Sequence, residues 1–204
     1  MENVVVGITG ASGVVYAQRL LTVLCRREFN IHLSISNAAS QIIQHELGIN
    51  FNHEQPDFIE FLGYATDKIT YYSNTDVGAR IASSGFPFTA MVIVPCSMNT
   101  LCSIACGISN NLIQRAASVA IKERRKLVAV PRETPLSSIH LEAMVKLSSA
   151  GVCILPAMPG FYHNPTTLSD QVNFVVAKIL DALNIRHTLV PQWQGNELHY
   201  LKDV

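Results

Sequence analysis

The sequence has little charge, and neither sign is in excess. Charged residues make up 15% of its 204 residues, and 15 basic side chains balance 15 acidic ones. A broad basic surface for nucleic acid or for an anionic membrane is therefore not expected. Nor does any apolar run approach the ~18 residues that a membrane-spanning helix requires.

The sequence also lacks the signs of a disulfide framework or a metal site. Its five cysteines are an odd number in a chain long enough to bury a full core, which predicts reduced thiols. Cys102 and Cys106 would share a helix face, but no second ligand pair follows at zinc spacing. We therefore expect no bound metal. Because no signal-peptide pattern precedes Val4, we also expect a cytoplasmic protein.

What the sequence has in excess is apolar residues, at 49%. Short β-branched runs alternate with helical patterns, which is typical of a parallel sheet covered on both faces. The apolar surplus also suggests that the protein forms oligomers. The predicted strands are 4–8, 31–35, 68–72, 91–94, 127–130 and 152–155, and the predicted helices are 14–27, 38–47, 100–105, 111–123, 138–149 and 168–183.

Polar residues follow most of the predicted strands. In a parallel sheet, ligands gather beyond the carboxyl ends of the strands, so these residues would meet at one edge. Small hydroxyls, one arginine and one glutamate are among them, in the segments 9–13, 36–37, 95–100, 131–133 and 161–163. The sequence therefore predicts a binding site at this edge.

The glycine-rich turn after the first strand has the spacing Gly7-x-x-Gly10-x-x-Gly13. This is not the G-x-G-x-x-G of a dinucleotide fold, no acidic residue follows the second strand, and no P-loop motif occurs. Two interpretations stay open. The turn either connects strand to helix and nothing more, or its amides and the Ser12 hydroxyl bind one phosphate at the helix N-terminus.

A second helix start, at Ser97, Asn99 and Thr100, allows two similar interpretations. Residues of these types are favoured as helix caps, and they also suit the polar ring of a mononucleotide. Two polar helix starts at one sheet edge fit a mononucleotide better than a bare phosphate.

Four segments resemble the UbiX-type flavin prenyltransferases, formerly described as 3-octaprenyl-4-hydroxybenzoate or phenylacrylic acid decarboxylases. They are "GITGASGVVYAQRLL", "MVIVPCSMNTL", "GISNNLIQRAASVAIKERRKLVAVPRETPLSSIHLEAM" and "ILPAMPGFYHNPTTLSDQVNFVVAKILDALNI". The resemblance implies an α/β fold, a flavodoxin-like three-layer α/β/α sandwich with a Rossmann-type parallel sheet. One FMN-binding domain would span 1–185, and a C-terminal tail, 186–204, would carry Trp193.

The resemblance also implies an activity and partners. Family members join the dimethylallyl group of dimethylallyl monophosphate to N5 and C6 of reduced FMN, without a metal. The prenylated FMN then serves a UbiD-type decarboxylase. Family members form large, dodecameric homo-oligomers with the site at subunit contacts. Which decarboxylase, and hence which pathway, this chain would serve is left open.

Site residues follow from the resemblance by motif. FMN would contact Gly10, Ala11, Ser12, Ser36, Ser97, Met98, Asn99, Thr100 and Arg132. The prenyl phosphate would contact Arg115, Lys122, Tyr162 and Lys178, and catalysis would involve Ser12, Glu46 and Glu133. Lys178 stands where many relatives have arginine, so the charge is kept while the bidentate fork is lost. Asn37 stands where relatives commonly have lysine.

The residue types suit this chemistry. Breaking an allylic C–O bond leaves a phosphate dianion, which cations and hydrogen-bond donors stabilise as its charge builds. Ring closure at C6 releases a proton, for which Glu133 or Glu46 is a natural acceptor; the sequence does not decide between them. Two alternatives are an FMN-dependent cysteine decarboxylase of the phosphopantothenoylcysteine type and a non-catalytic flavin carrier subunit.

Overall fold

A computed structural model describes residues 2–27 and 29–191, so Trp193 and the rest of the tail beyond 191 lie outside the described residues. In chain order the elements are β1 (Glu2–Ile8), α1 (Val14–Cys25), β2 (Phe29–Ile35), α2 (Asn37–Leu47), α3 (Phe58–Leu62), β3 (Ile69–Ser73), a 3-10 helix (Arg80–Ala82), β4 (Ala90–Cys96), α4 (Met98–Ala105), α5 (Leu112–Lys122), β5 (Lys126–Pro131), α6 (Ser138–Ser149), β6 (Cys153–Ile154) and α7 (Leu168–Ala182).

The strands form one parallel sheet in the order β3-β2-β1-β4-β5-β6. The chain builds outward from β1 to β3 and then crosses back to place β4 on the other side of β1. The connections that leave β1 and β4 therefore diverge, and a crevice opens between the carboxyl ends of these two strands. Ligands of such sheets bind in that crevice, which here lies between the residues that follow Ile8 and Cys96.

Alternate side chains of the strands enter two separate apolar cores. Val4, Val6 and Ile8 pack with α1, α2 and α7, whereas Val5 belongs to the core formed with α4, α5 and α6. The predicted three-layer, flavodoxin-like α/β fold is confirmed. This layering matters for function because residues on α5 and residues on α7 lie on opposite faces of the sheet.

The predicted helices and strands are present, some with shifted ends. Helix α4 begins at Met98, earlier than predicted, because Ser97 caps it. The short helix α3 was not predicted; its start is fixed by Asp57, whose carboxylate accepts hydrogen bonds from the amides of Ile59 at 2.8 Å and Glu60 at 3.0 Å. Within 2–27 and 29–191, no helix has both the length and the apolarity to cross a membrane.

Candidate functional site

The buried hydroxyl of Thr9 joins the two loops that border the crevice. Thr9 directly follows β1 and is 2% exposed. Its hydroxyl donates to the carbonyl of Pro95 at 2.8 Å and accepts from the amide of Ser97 at 2.7 Å. The loop after β1 and the loop after β4 are thereby held side by side. Sequence reasoning missed this role, although the position of Thr9 at the end of a strand was a signal.

The glycine-rich loop packs closely against the start of α2. A Cβ atom at Gly10 would lie 2.5 Å from the Cβ of Ala38, so only glycine fits there. Ser36 caps α2 by accepting from the amide of Ala39 at 3.1 Å. Gly13 has a φ of 101°, a left-handed conformation that favours glycine. The predicted FMN residues Gly10, Ala11, Ser12 and Ser36 therefore lie together at the crevice.

Glu46 lies at the N-terminus of α1, which was one candidate phosphate site in the sequence. Its carboxylate accepts from the amide of Gly13 at 3.0 and 3.1 Å and from the amide of Val14 at 3.0 Å. A carboxylate is favoured here because the first amides of a helix carry partial positive charge. The first amides of α1 are thus bound by a side chain from α2, and an anionic ligand in the crevice must use other donors.

The start of α4 shows the predicted capping. The Ser97 hydroxyl accepts from the amide of Thr100 at 3.3 Å and donates to the Thr100 hydroxyl at 3.0 Å. Met98 and Thr100 are buried, and Asn99 is exposed. Of the predicted FMN residues on this helix, Asn99 therefore presents its side chain most freely to solvent.

Arg132 and Tyr16 lie within electrostatic reach of one another near Glu46. The Nε atom of Arg132 is buried and has no hydrogen-bond partner among the described residues. Burial, and next the charge of Glu46, raise the pKa of the Tyr16 hydroxyl, while the charge of Arg132 partly opposes this shift. Tyr16 was not singled out from the sequence; its place on the first turn of α1, three residues after Gly13, was the available signal.

Glu133 lies at the same edge but is less constrained than Glu46. Its carboxylate is exposed and accepts from the neighbouring amide of Thr134 at 3.1 Å. A cleft of about 390 Å³ begins beside it and is lined in part by Arg132, Glu133, Pro156, Ala157 and Met158. In the parts of the chain that the structure describes, no group of three or more His, Cys, Asp or Glu side chains is placed to hold a metal ion.

Tyr162 and Lys178 line a second, larger cleft of about 750 Å³, which Arg27 and Arg186 also border. The ammonium of Lys178 is paired with the carboxylate of Asp181 at 3.2 Å. The other oxygen of Asp181 contacts Nε2 of His187 at 2.9 Å. Two of the predicted prenyl-phosphate residues are therefore brought together in a basic cleft.

Arg115 and Lys122, the other two, lie elsewhere. Both are on α5, in the layer opposite α7, and they border a small cleft of about 210 Å³. Lys122 donates to the Ser84 hydroxyl at 2.7 Å and pairs with Glu123 at 3.4 Å. It is the last residue of α5 and lies near the amino end of β5, away from the crevice. A single chain does not bring the four prenyl-phosphate candidates, three basic side chains and one tyrosine, to one place.

The model of the flavoprotein family matches residues 1–185. The flavin prenyltransferase UbiX of Alkalihalophilus pseudofirmus is 48% identical over 188 residues, which cover 92% of this chain and 94% of that protein. The chain belongs to the flavin prenyltransferases of the flavoprotein family.

Two solved structures extend this likeness to the whole fold. AnUbiX (PadA1), solved with FMN and dimethylallyl pyrophosphate, is 34% identical with a TM-score of 0.86, covering 96% of this chain and 99% of that one. A dodecameric FMN-dependent UbiX-like decarboxylase from Escherichia coli O157:H7 is 40% identical with a TM-score of 0.84, covering 95% and 100%. Solved cysteine decarboxylases, at 12% to 17% identity, share the fold alone.

Proposed function

We propose that this protein transfers the dimethylallyl group of dimethylallyl monophosphate to N5 and C6 of reduced FMN, and that the prenylated FMN serves a UbiD-type decarboxylase. The observation that carries the proposal is membership of the flavin prenyltransferases over 92% of the chain. The protein acts in the cytoplasm, and FMN is here a substrate rather than a resident cofactor.

The crevice suits FMN in two respects. Arg132 has a buried guanidinium nitrogen without a partner among the described residues, and an anionic or carbonyl oxygen of the flavin would satisfy it. Gly10 lets the loop pack directly against Ala38 at the start of α2, and this fixes the position of the backbone that would contact FMN. Ser36 and the residues from Ser97 to Thr100 would contact the remaining polar atoms.

The two candidate carboxylates differ in how they are held, and this suggests a division of roles. The carboxylate of Glu46 is held in place, because both of its oxygens accept hydrogen bonds from amides at the start of α1. Glu133 has its carboxylate exposed at the crevice and one short local contact. Glu133 therefore takes the proton released at C6, whereas Glu46 orients the neighbouring groups, among them Ser12 and Tyr16.

The phosphate end is completed by a second subunit. Tyr162 and Lys178 on one face cannot meet Arg115 and Lys122 on the other within one chain. Exposed apolar side chains on α6, among them Ile139 at 69% and Val145 at 67% exposure, supply a surface for subunit contact. A homo-oligomer, as in the dodecameric relative, would place α5 of one subunit against the Tyr162 cleft of the next.

Mass spectrometry of the flavin tests the function. The protein is incubated without oxygen with reduced FMN and dimethylallyl monophosphate, with EDTA present to remove free metal. A flavin heavier by one C5H8 unit is expected. Recovery of unmodified FMN from the folded, flavin-loaded protein would contradict the proposal and favour a flavin carrier.

A further inference from the structure

Three rings on α7 and on the preceding loop form one aromatic cluster. His163 stacks on Phe174 with ring centroids 5.0 Å apart and an interplanar angle of 9°. Tyr162 meets both rings edge-on, at 5.7 Å from His163 and 5.6 Å from Phe174. The ammonium of Lys178 lies 5.8 Å from the centroid of Phe174. Phe174 thus supports both Tyr162 and Lys178, the two phosphate candidates of this cleft.

His163 has an unusual environment within this cluster. Both of its ring nitrogens are buried, and neither has a hydrogen-bond partner among the described residues. A neutral imidazole always carries one donor and one acceptor nitrogen, and burying either without a partner is costly. A phenylalanine would stack equally well without this cost. The nitrogens of His163 therefore have a use that stacking does not explain.

Another buried polar atom without a partner lies on the face of α7 that carries Phe174 and Lys178. Oε1 of Gln171 is also buried without a partner among the described residues. Gln171, Phe174 and Lys178 are spaced three and four residues apart on α7, so they share one face. Unsatisfied polar atoms are thus concentrated along the face that carries Lys178, which indicates a site for a polar ligand.

The loop that carries His163, residues 156–165, is attached to α7 mainly through its rings. The start of the loop is fixed to β5, because the amide of Ala157 donates to the carbonyl of Pro131 at 2.9 Å. Its other two backbone hydrogen bonds, from Met158 to Pro156 and from Asn164 to Phe161, are internal to the loop. Gly160 packs closely against Phe174: a Cβ atom at Gly160 would lie only 2.9 Å from the ring. Ring contacts tolerate sliding better than a hydrogen-bond ladder does, so the part of the loop after Ala157 can turn on α7 and keep the hydrogen bond to Pro131.

We propose that His163 is a further ligand-binding residue of the phosphate end. When an allylic phosphate monoester binds beside Tyr162 and Lys178, the part of the loop after Ala157 turns so that an imidazole N–H of His163 donates to a phosphate oxygen. The inference rests on the proposed function for the identity of the ester, and on the orphaned nitrogens for the role of His163.

Two variants of the FMN-loaded protein test this. His163→Phe keeps a flat ring on Phe174 and removes both nitrogens, whereas His163→Gln keeps a donor. We expect His163→Phe to melt at the same temperature as wild type or higher and to bind FMN equally well. Its KM for dimethylallyl monophosphate should rise about tenfold or more, with a smaller change in kcat, since a hydrogen bond to a charged group is lost. Inhibition by inorganic phosphate should weaken in parallel, and His163→Gln should recover part of both losses.

The outcomes separate cleanly. An unchanged KM and unchanged phosphate inhibition in His163→Phe would overturn the proposal, as would a lower melting temperature with a matching loss of FMN binding. If wild type makes no prenylated FMN, the proposed function fails. Inorganic phosphate binding, measured by calorimetry on wild type and His163→Phe, then still decides whether His163 binds phosphate.

Discussion

The flavin end and the phosphate end of the proposed site are built in different ways. At the flavin end, buried or charge-assisted hydrogen bonds fix the loops, through Thr9 between β1 and β4 and through Glu46 at the start of α1. At the phosphate end, ring contacts hold His163 against α7 and an exposed ion pair holds Lys178. The flavin end is organised within one chain, whereas we propose that the ligand and a neighbouring subunit complete the phosphate end.

The largest effect is expected at Glu133, the proposed proton acceptor. Glu133→Gln should lower turnover about a hundredfold or more, because it removes the proton acceptor while leaving shape and hydrogen bonding nearly unchanged. FMN affinity should stay the same, since FMN binding and proton transfer from C6 are proposed to use different residues. Single-turnover kinetics measures the effect, and Glu142→Gln, an exposed carboxylate on α6, is the matched control. A fully active Glu133→Gln enzyme would exclude this role.

A pH titration tests the stability of the sheet, through His32 on β2, rather than the loops of the site. Burial, and next the charge of Arg80, lower the pKa of His32 from 6.5 to about 4. The unfolded chain takes up this proton below pH 6.5, so stability is full above that pH. It should fall between pH 6.5 and about 4, by up to about 3 kcal/mol, and then level off.

Urea unfolding between pH 7 and pH 4 measures this loss of stability. His32 contacts Tyr72 and Asn3 through its two nitrogens, so His32→Gln keeps polar contacts and should flatten the slope. His45→Gln, at an exposed histidine on α2, should leave it as in wild type. Equal slopes in both variants would show that other groups cause the acid sensitivity.

Thr9→Val tests the rigidity of the flavin end. The change keeps the shape but leaves the amide of Ser97 without its acceptor, at a cost of about 1–3 kcal/mol in unfolding free energy. FMN affinity should fall as well, because the side-chain link between the two loops is lost, while the backbone hydrogen bond from the amide of Thr9 to the carbonyl of Pro95 remains. Chemical denaturation and flavin fluorescence measure the two effects. The same substitution at Thr70, exposed on β3, should be nearly neutral; similar losses at both positions would refute a special role for Thr9.

The smallest effect is expected at the ion pair of the phosphate end. Asp181→Asn removes a negative charge 3.2 Å from the Lys178 ammonium, so binding of dimethylallyl monophosphate should tighten. The gain should be at most about fivefold, because exposed pairs contribute 1 kcal/mol or less. Calorimetry with Glu60→Gln as the control measures it. Weaker binding in Asp181→Asn would mean that Asp181 orients Lys178 rather than competing for it.

The sequence predicted the fold well because apolar periodicity is local. A few consecutive residues are enough to predict strand β1 and helix α1, and Gly10 and Gly13 mark the turn between them. The contact of Glu46 with Gly13 was not predictable in this way, since it joins residues 33 positions apart. The motifs also did not show that Arg115 and Lys178 lie in different layers, because a motif does not reveal which layer a helix joins; the resemblance alone placed the site at subunit contacts.

Mixed oligomers test most directly whether a second subunit completes the phosphate end. Arg115→Ala and Lys178→Ala variants, each nearly inactive alone, are unfolded and refolded together or co-expressed, and prenylated FMN is measured. The mixture should regain a definite fraction of wild-type activity, because some contacts pair an intact α5 with an intact Tyr162 cleft. A mixture as inactive as its parents, despite normal assembly, would contradict a site shared between subunits.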